Sequence, residues 1–202
     1  MVIERFELGS QHSDRILPMT QEVLAEAGLV LTQLDAVAFG RGPGSFTGLR
    51  IGAGVTQGLA FGADVPVVPV SSLAALAQGV EASRVLAAFD ARMNQLYWGA
   101  YARNGRGLVE LSGEEKVLAP RDVPVPGDDG WVGAGSGWDQ YSDMLLEHLG
   151  DRVRDWRAQC FPHARFVGQL GADEYARGGA LAPEQALPVY LRDEVAVKRT
   201  RL

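Results

Sequence analysis

Apolar residues along this chain recur in two rhythms, one helical and one extended. Ile16, Thr20, Val23, Leu24 and Ala27 fall on one face of a helix. Pro18 is tolerated in a first turn and clashes deeper in, so the regular helix is predicted to begin near Pro18 or to bend there. Gly28 offers a C-terminal cap. Ahead of this helix, Ile3–Leu8 alternate imperfectly and predict a short strand, with polar cap candidates in Ser10–Ser13. Leu34–Phe39 predicts a buried strand that runs into Gly40-Arg41-Gly42-Pro43-Gly44-Ser45-Phe46-Thr47-Gly48. So many glycines, with a proline among them, predict an irregular loop over that whole run. A helix from Thr47 to about Phe61 follows, then a strand over Val65–Val70, then a helix over Leu73–Val80 capped by Ser71-Ser72.

The rhythm restarts after Arg84. Val85–Phe89 is an apolar strand, 90–94 a turn, and Gln95–Ala102 a second strand rich in aromatic residues. Asn104-Gly105 signals a hairpin that brings Leu108–Leu111 back onto it. Pro120–Gly130 reads as a loop, Trp131-Val132 as the start of a short strand, and Trp138–Leu149 and Ala164–Arg177 as helices. Strand and helix in alternation imply an α/β fold with a parallel or mixed sheet flanked by helices. The restart places a boundary near Arg84, dividing the chain into 1–84 and 85–202, and suggests a duplicated core.

The helix after Thr47 is unusual in what it lacks. Gly54, Gly58 and Gly62 stand four apart, as do Gly48, Gly52, Thr56 and Ala60, so two stripes of small residues run down adjacent faces. Each glycine costs about 1 kcal/mol relative to alanine in a helix. Close approach of another backbone would offset that cost. The neighbour is either this chain's own sheet or a helix from another polypeptide, and Leu49, Val55 and Leu59 supply larger contacts beside the stripes. The loop before this helix could hold an anion on its backbone N–H groups. Yet no Gly-Lys-Ser/Thr occurs, and Gly42, Gly44 and Gly48 are misspaced for a dinucleotide fingerprint. Ser45 or Thr47 as a helix cap accounts for the hydroxyls without a ligand.

Composition narrows the chemistry. A net charge of -6 argues against broad direct contact with a phosphate backbone. The single cysteine, Cys160, excludes an internal disulfide and a cysteine-cluster zinc site, and a reducing cytoplasm is the default. Every apolar run is broken by Gly, Pro or a charge, so no membrane span is predicted. His12, His148 and His163 do not stand at zinc-protease spacing, and Gly133-Ala134-Gly135-Ser136-Gly137 fails the pattern of a nucleophile elbow. Those glycines could approach an adenosine or simply build a strand-to-helix turn. Asp90 could orient a metal or phosphate or cap its own turn, and Arg92 could meet an anion or stand in solvent. No metal site and no catalytic residue is expected.

Several segments together resemble one family. Gly40-Arg41-Gly42-Pro43-Gly44-Ser45-Phe46-Thr47-Gly48-Leu49-Arg50-Ile51-Gly52 looks like the hallmark of the TsaB (YeaZ) proteins. So do Gln11-His12-Ser13 with Leu17-Pro18, Val70-Ser71-Ser72-Leu73, Asp90-Ala91-Arg92-Met93 with Tyr97, and Pro188-Val189-Tyr190-Leu191-Arg192. The resemblance implies a two-lobed actin/Hsp70/sugar-kinase-like (ASKHA) fold. It implies a part in adding threonylcarbamoyl to adenosine 37 of tRNAs that read ANN codons. In that family the subunit is a non-catalytic relative of TsaD. It binds TsaD, which carries the metal site and performs the transfer, and the ATPase TsaE joins the pair. Homodimers also occur, tRNA is met only through the complex, and no cofactor is held by this subunit alone, although ATP can lie at the complex interface.

The family's paired-helix interface maps onto Ile16, Leu17, Thr20, Val23 and Leu24 of one helix. On the other it maps onto Gly48, Ile51, Gly52, Val55, Thr56 and Leu59. Family members usually open with a further strand and an Asp-Thr-Ser turn, so an N-terminal strand is expected to be missing before Met1. An independent ATPase or small-molecule kinase of the same fold is the alternative reading. A peptidase activity, attached to some relatives, is disfavoured by the histidine spacing.

Overall fold

A computed structural model describes residues 12–192. The predicted strand Ile3–Leu8 lies outside them. Helix α1 spans His12–Ala27 and runs through Pro18, earlier than the proline predicted. The carbonyl that Pro18 leaves without a donor belongs to exposed Asp14, where water can serve it. Further along, the Thr20 hydroxyl donates to the Ile16 carbonyl at 2.8 Å.

Strand β1 covers Val37–Gly42 and pairs in parallel with β2, Val67–Ser71. The first glycines of the presumed loop are therefore strand. Gly40 pairs with Val70 and Gly42 with Ser71, leaving Arg41 as the extra residue of a bulge. Helix α2 spans Phe46–Ala63, so the end of that loop is helix as well. Ser45 caps it by accepting the Gly48 N–H at 3.5 Å, and Asp64 ends it in the left-handed region. Ala53, Thr56, Ala60 and Ala63 form its buried face, packed in a core with Phe39, Val65 and Val67. At the end of β2 the Ser71 hydroxyl accepts the N–H groups of Leu73 and Ala74 at 3.1 and 3.2 Å, starting α3, Ser72–Gln78.

The larger sheet follows. Strands β3 (Arg84–Asp90) and β4 (Leu96–Arg103) are antiparallel. Asn104 Oδ1 accepts the N–H groups of Arg106 and Leu108, turning the chain into β5, Val109–Leu111. Strand β6, Lys116–Leu118, also joins β4, and β7, Trp131–Ala134, lies parallel to β3. Helix α4 spans Ser136–Leu149 and leads to β8, Val153–Arg157, parallel to β7. The order is β5-β4-β3-β7-β8. Strands β6 and β8 were not foreseen, because one is three residues long and the other, Val-Arg-Asp-Trp-Arg, is mostly charged. Alternation sorts the sheet's side chains. Val85 and Ala87 pack in one core with Leu73 and Leu76 of α3, while Leu86 and Ala88 pack in another with Trp138 and Leu145 of α4.

Helix α5, Ala164–Ala176, returns to the first sheet. A Cβ on its Gly171 would stand 2.6 Å from the Ala38 Cβ, so only glycine allows this approach. Leu181 then bridges to Val67. No helix among the described residues is long and apolar enough to cross a membrane.

Candidate docking face and interlobe cleft

The two stripes of α2 have different fates. Positions 54, 58 and 62 are exposed, and a Cβ on any of the three glycines would meet nothing within 4 Å among the described residues. The second stripe turns inward, since Thr56 is 6% exposed and Ala60 is fully buried in this chain's own core. Around the open stripe, Ile51, Gly52, Val55 and Leu59 are half-buried, as is Gly48. Helix α1 packs beside α2 and presents exposed Leu17 with half-buried Ile16, Thr20, Val23 and Leu24. Of the expected interface residues Thr56 is buried in the core, while the others are exposed or half-buried on the adjacent helices α1 and α2.

The Gly-rich segment meets residues from the second half of the chain. Arg41 accepts the Val189 N–H on its carbonyl at 2.8 Å. Gly42, at φ 106°, has room for no side chain: a Cβ would stand 2.9 Å from Leu49 and 3.0 Å from the Val189 carbonyl oxygen. Pro43, Gly44, Ser45 and Phe46 then line a cleft of about 640 Å³ whose other walls include Phe89, Asp90, Arg92, Tyr97, Phe161 and Arg192. Thr47 begins α2 in an exposed position. Asp90 and Arg92, singled out separately from the Gly-rich loop, therefore face the same space.

Asp90 is committed locally. Its Oδ1 accepts the Arg92 N–H at 2.9 Å, Oδ2 lies 3.4 Å from Arg92 Nη1, and its own N–H donates to Ser136 Oγ at 3.1 Å. Arg92, Met93 and Asn94 are all left-handed, a tight turn that this Asp holds shut. The Arg50 guanidinium lies 3.2 Å over the ring of Phe46, which lines the cleft, and the Phe46 and Tyr190 rings meet tilted with centroids 5.5 Å apart. Arg192 donates to Gln95 Oε1 and, at 3.5 Å, to the Arg92 carbonyl. Spacing could not find Arg50, Tyr190 and Arg192, which lie in distant segments, although all three fall inside the family-like motifs.

Behind the Gly-rich segment lies a second group that the sequence did not flag. The Glu115 carboxylate accepts from the Ser71 and Tyr101 hydroxyls and lies 3.7 Å from Arg41 Nη2. Burial, and then the neighbouring carboxylate, push the Tyr101 phenol far above its ordinary range.

The other candidates are spent on structure. Gly133, Gly135 and Gly137 pack closely on Trp138, Ala88 and Leu96, where a Cβ would stand under 3 Å from its neighbours. His148 bonds the Val123 carbonyl oxygen at 2.8 Å, and His163 caps α5 by accepting the Arg165 N–H. Burial, with Asp139 nearby, raises the Cys160 thiol above its usual value, against thiolate chemistry. Among the described residues no cluster of His, Cys, Asp and Glu could hold a metal ion.

A family model described as TsaD, tRNA N6-adenosine threonylcarbamoyltransferase, matches residues 7–124. The chain is 43% identical over 198 residues to the tRNA threonylcarbamoyladenosine biosynthesis protein TsaB of Escherichia coli (strain K12), covering 94% of this chain and 84% of the relative. It is 40% identical to the protein of the same name from Haemophilus influenzae, with 93% and 83% covered. Among solved structures, YeaZ from Pseudomonas aeruginosa superposes with a TM-score of 0.81 at 48% identity, covering 89% of this chain and 84% of that one. A second crystal structure from that organism, of an uncharacterized protein with similarity to peptidase YEAZ, gives 0.82 at 47%, covering 90% and 84%. The TsaD-type match accounts for the ASKHA-like mixed α/β architecture, and the near-full-length identity to TsaB proteins is specific: the chain belongs to the TsaB (YeaZ) family.

Proposed function

We propose that this chain is an accessory, non-catalytic subunit in the synthesis of threonylcarbamoyladenosine in tRNA, and that it acts by docking α1 and α2 on TsaD. The relatives' shared name supports the pathway. The observation that carries the docking mode is the open stripe of Gly54, Gly58 and Gly62, which meets nothing among the described residues. Three exposed glycines weaken α2 in isolation. A partner helix lying close against them turns that cost into contact area. A second copy of the chain can take the same face when TsaD is absent. TsaE joins the assembled pair, with any ATP at the interface of the assembly, and tRNA is engaged through the complex at adenosine 37 of ANN-reading tRNAs.

Reconstitution with TsaD, TsaE and tRNA tests this reading. Modified tRNA is expected to fall at least tenfold when this chain is omitted; unchanged modification overturns the role. Gly58→Leu is expected to abolish association in sedimentation while the isolated chain stays folded. Gly58→Ala should stabilise the isolated chain by about 1 kcal/mol. Normal pairing by Gly58→Leu would reassign the stripe. Calorimetric titration of the isolated chain with ATP and magnesium should give no binding; binding with turnover would instead favour an independent ATPase or kinase.

A further inference from the structure

The molecule is acidic overall, yet among the described residues two arginines and one carboxylate line the cleft. Arg92 and Arg192 line it, Arg50 lies over the ring of Phe46 in its wall, and the Arg92 side chain is 87% exposed. Among the described residues the one carboxylate lining the cleft is Asp90, already committed to the Arg92 backbone and guanidinium. Arg50 and Arg192 meet no carboxylate among the described residues; their contacts are a ring face, an amide, a carbonyl and a thioether. Inside the rim the walls are largely apolar, from Leu49, Phe89, Phe161, Pro162 and Leu191. Phe161 is 56% exposed and Met93, beside Arg192, 74%.

We propose that this cleft receives an acidic segment of a partner polypeptide, with an apolar side chain entering between Leu49, Phe89 and Phe161 and flanking carboxylates meeting Arg92 and Arg192. About 640 Å³ suits one or two large side chains. Guanidinium groups with spare donors are the natural partners of carboxylates, and pairing is strongest where an apolar floor excludes water. The rings favour a peptide over a nucleic acid strand. The face of Phe46 is covered by Arg50, and the Phe46 and Tyr190 planes meet at 41°, so neither presents a flat platform for a base. Leu49 stands in the first turn of α2, but Arg92, Arg192 and Phe161 lie off α1 and α2 and Gly58 does not line the cleft, so variants at these positions test this site separately from the docking on TsaD.

The test is fluorescence anisotropy of the full chain with a short labelled peptide of Glu and Asp around a central Leu-Phe pair. Saturable binding is expected, weakened at least tenfold in the double variant Arg92→Gln/Arg192→Gln and retained in Gly58→Leu. Circular dichroism confirms that the variants fold. A photo-crosslinking phenylalanine at position 161 should capture the acidic peptide and not its Lys-substituted counterpart. Absence of saturation, equal binding by the double variant, or equal binding of the Lys peptide overturns the proposal. Displacement of the peptide by oligoadenylate at lower concentration also overturns it and reassigns the cleft to nucleic acid.

Discussion

Glu115 reaches from the segment between β5 and β6 into the junction where Arg41, Ser71 and Tyr101 converge. Its side chain is 6% exposed, and a carboxylate so enclosed is tolerable only because two hydroxyls and a guanidinium surround it. Tyr101 gives this group a pH signature. The folded chain keeps the phenolic proton far above the ordinary value of 10, whereas the unfolded chain releases it near 10. Between those limits the native state binds more protons, so its stability is intact below pH 10 and declines above it, by about 1.4 kcal/mol per pH unit from this residue. Urea midpoints measured from pH 8 to 11 should fall more steeply for the native chain than for Tyr101→Phe. None of this was legible in the sequence. Glu115 reads there as one more charge in a polar turn, and its partners are brought together only by the packing of two sheets. The cap by Ser71, by contrast, was legible, because a cap and its helix are neighbours in the chain.

At the scale of elements, local pattern served best where a helix has one wet face and one dry face. The apolar face of α1 was legible from Ile16 to Ala27, yet its start was not. Proline is a local obstacle, and the helix continues around it because the orphaned carbonyl is exposed. Pro18→Ala should therefore raise stability by about 1 kcal/mol or more, read as a higher thermal midpoint. The Gly-rich segment misled in the opposite sense. Its glycines suggested an irregular loop, but they fall in a strand end, beside a bulge and at a helix start, and at Gly42 close neighbours, Leu49 and the Val189 carbonyl, leave no room for a side chain. Spacing alone could not separate the outward stripe of α2 from the inward one. That distinction depends on where the sheet lies.

For the whole molecule, the second sheet begins in sequence at Arg84, while packing crosses that point. Helix α5 belongs to the second half and lies on β1 and β2, where a Cβ added to Gly171 would also stand 3.9 Å from Val68 and 3.6 Å from Val70. Leu181 exchanges backbone hydrogen bonds with Val67. A polypeptide of residues 1–84 should accordingly fail to fold alone, showing no cooperative thermal transition by circular dichroism. Co-expression with residues 85–202 should restore one.

The late arrival of α5 has a consequence for biosynthesis. When β2 leaves the ribosome, the helix that will shield Val68 and Val70 is still about ninety residues from being made. Until then the nascent chain carries a greasy, half-dressed sheet, which invites chaperones and makes premature termination or slow decoding in the later half a direct cause of aggregation.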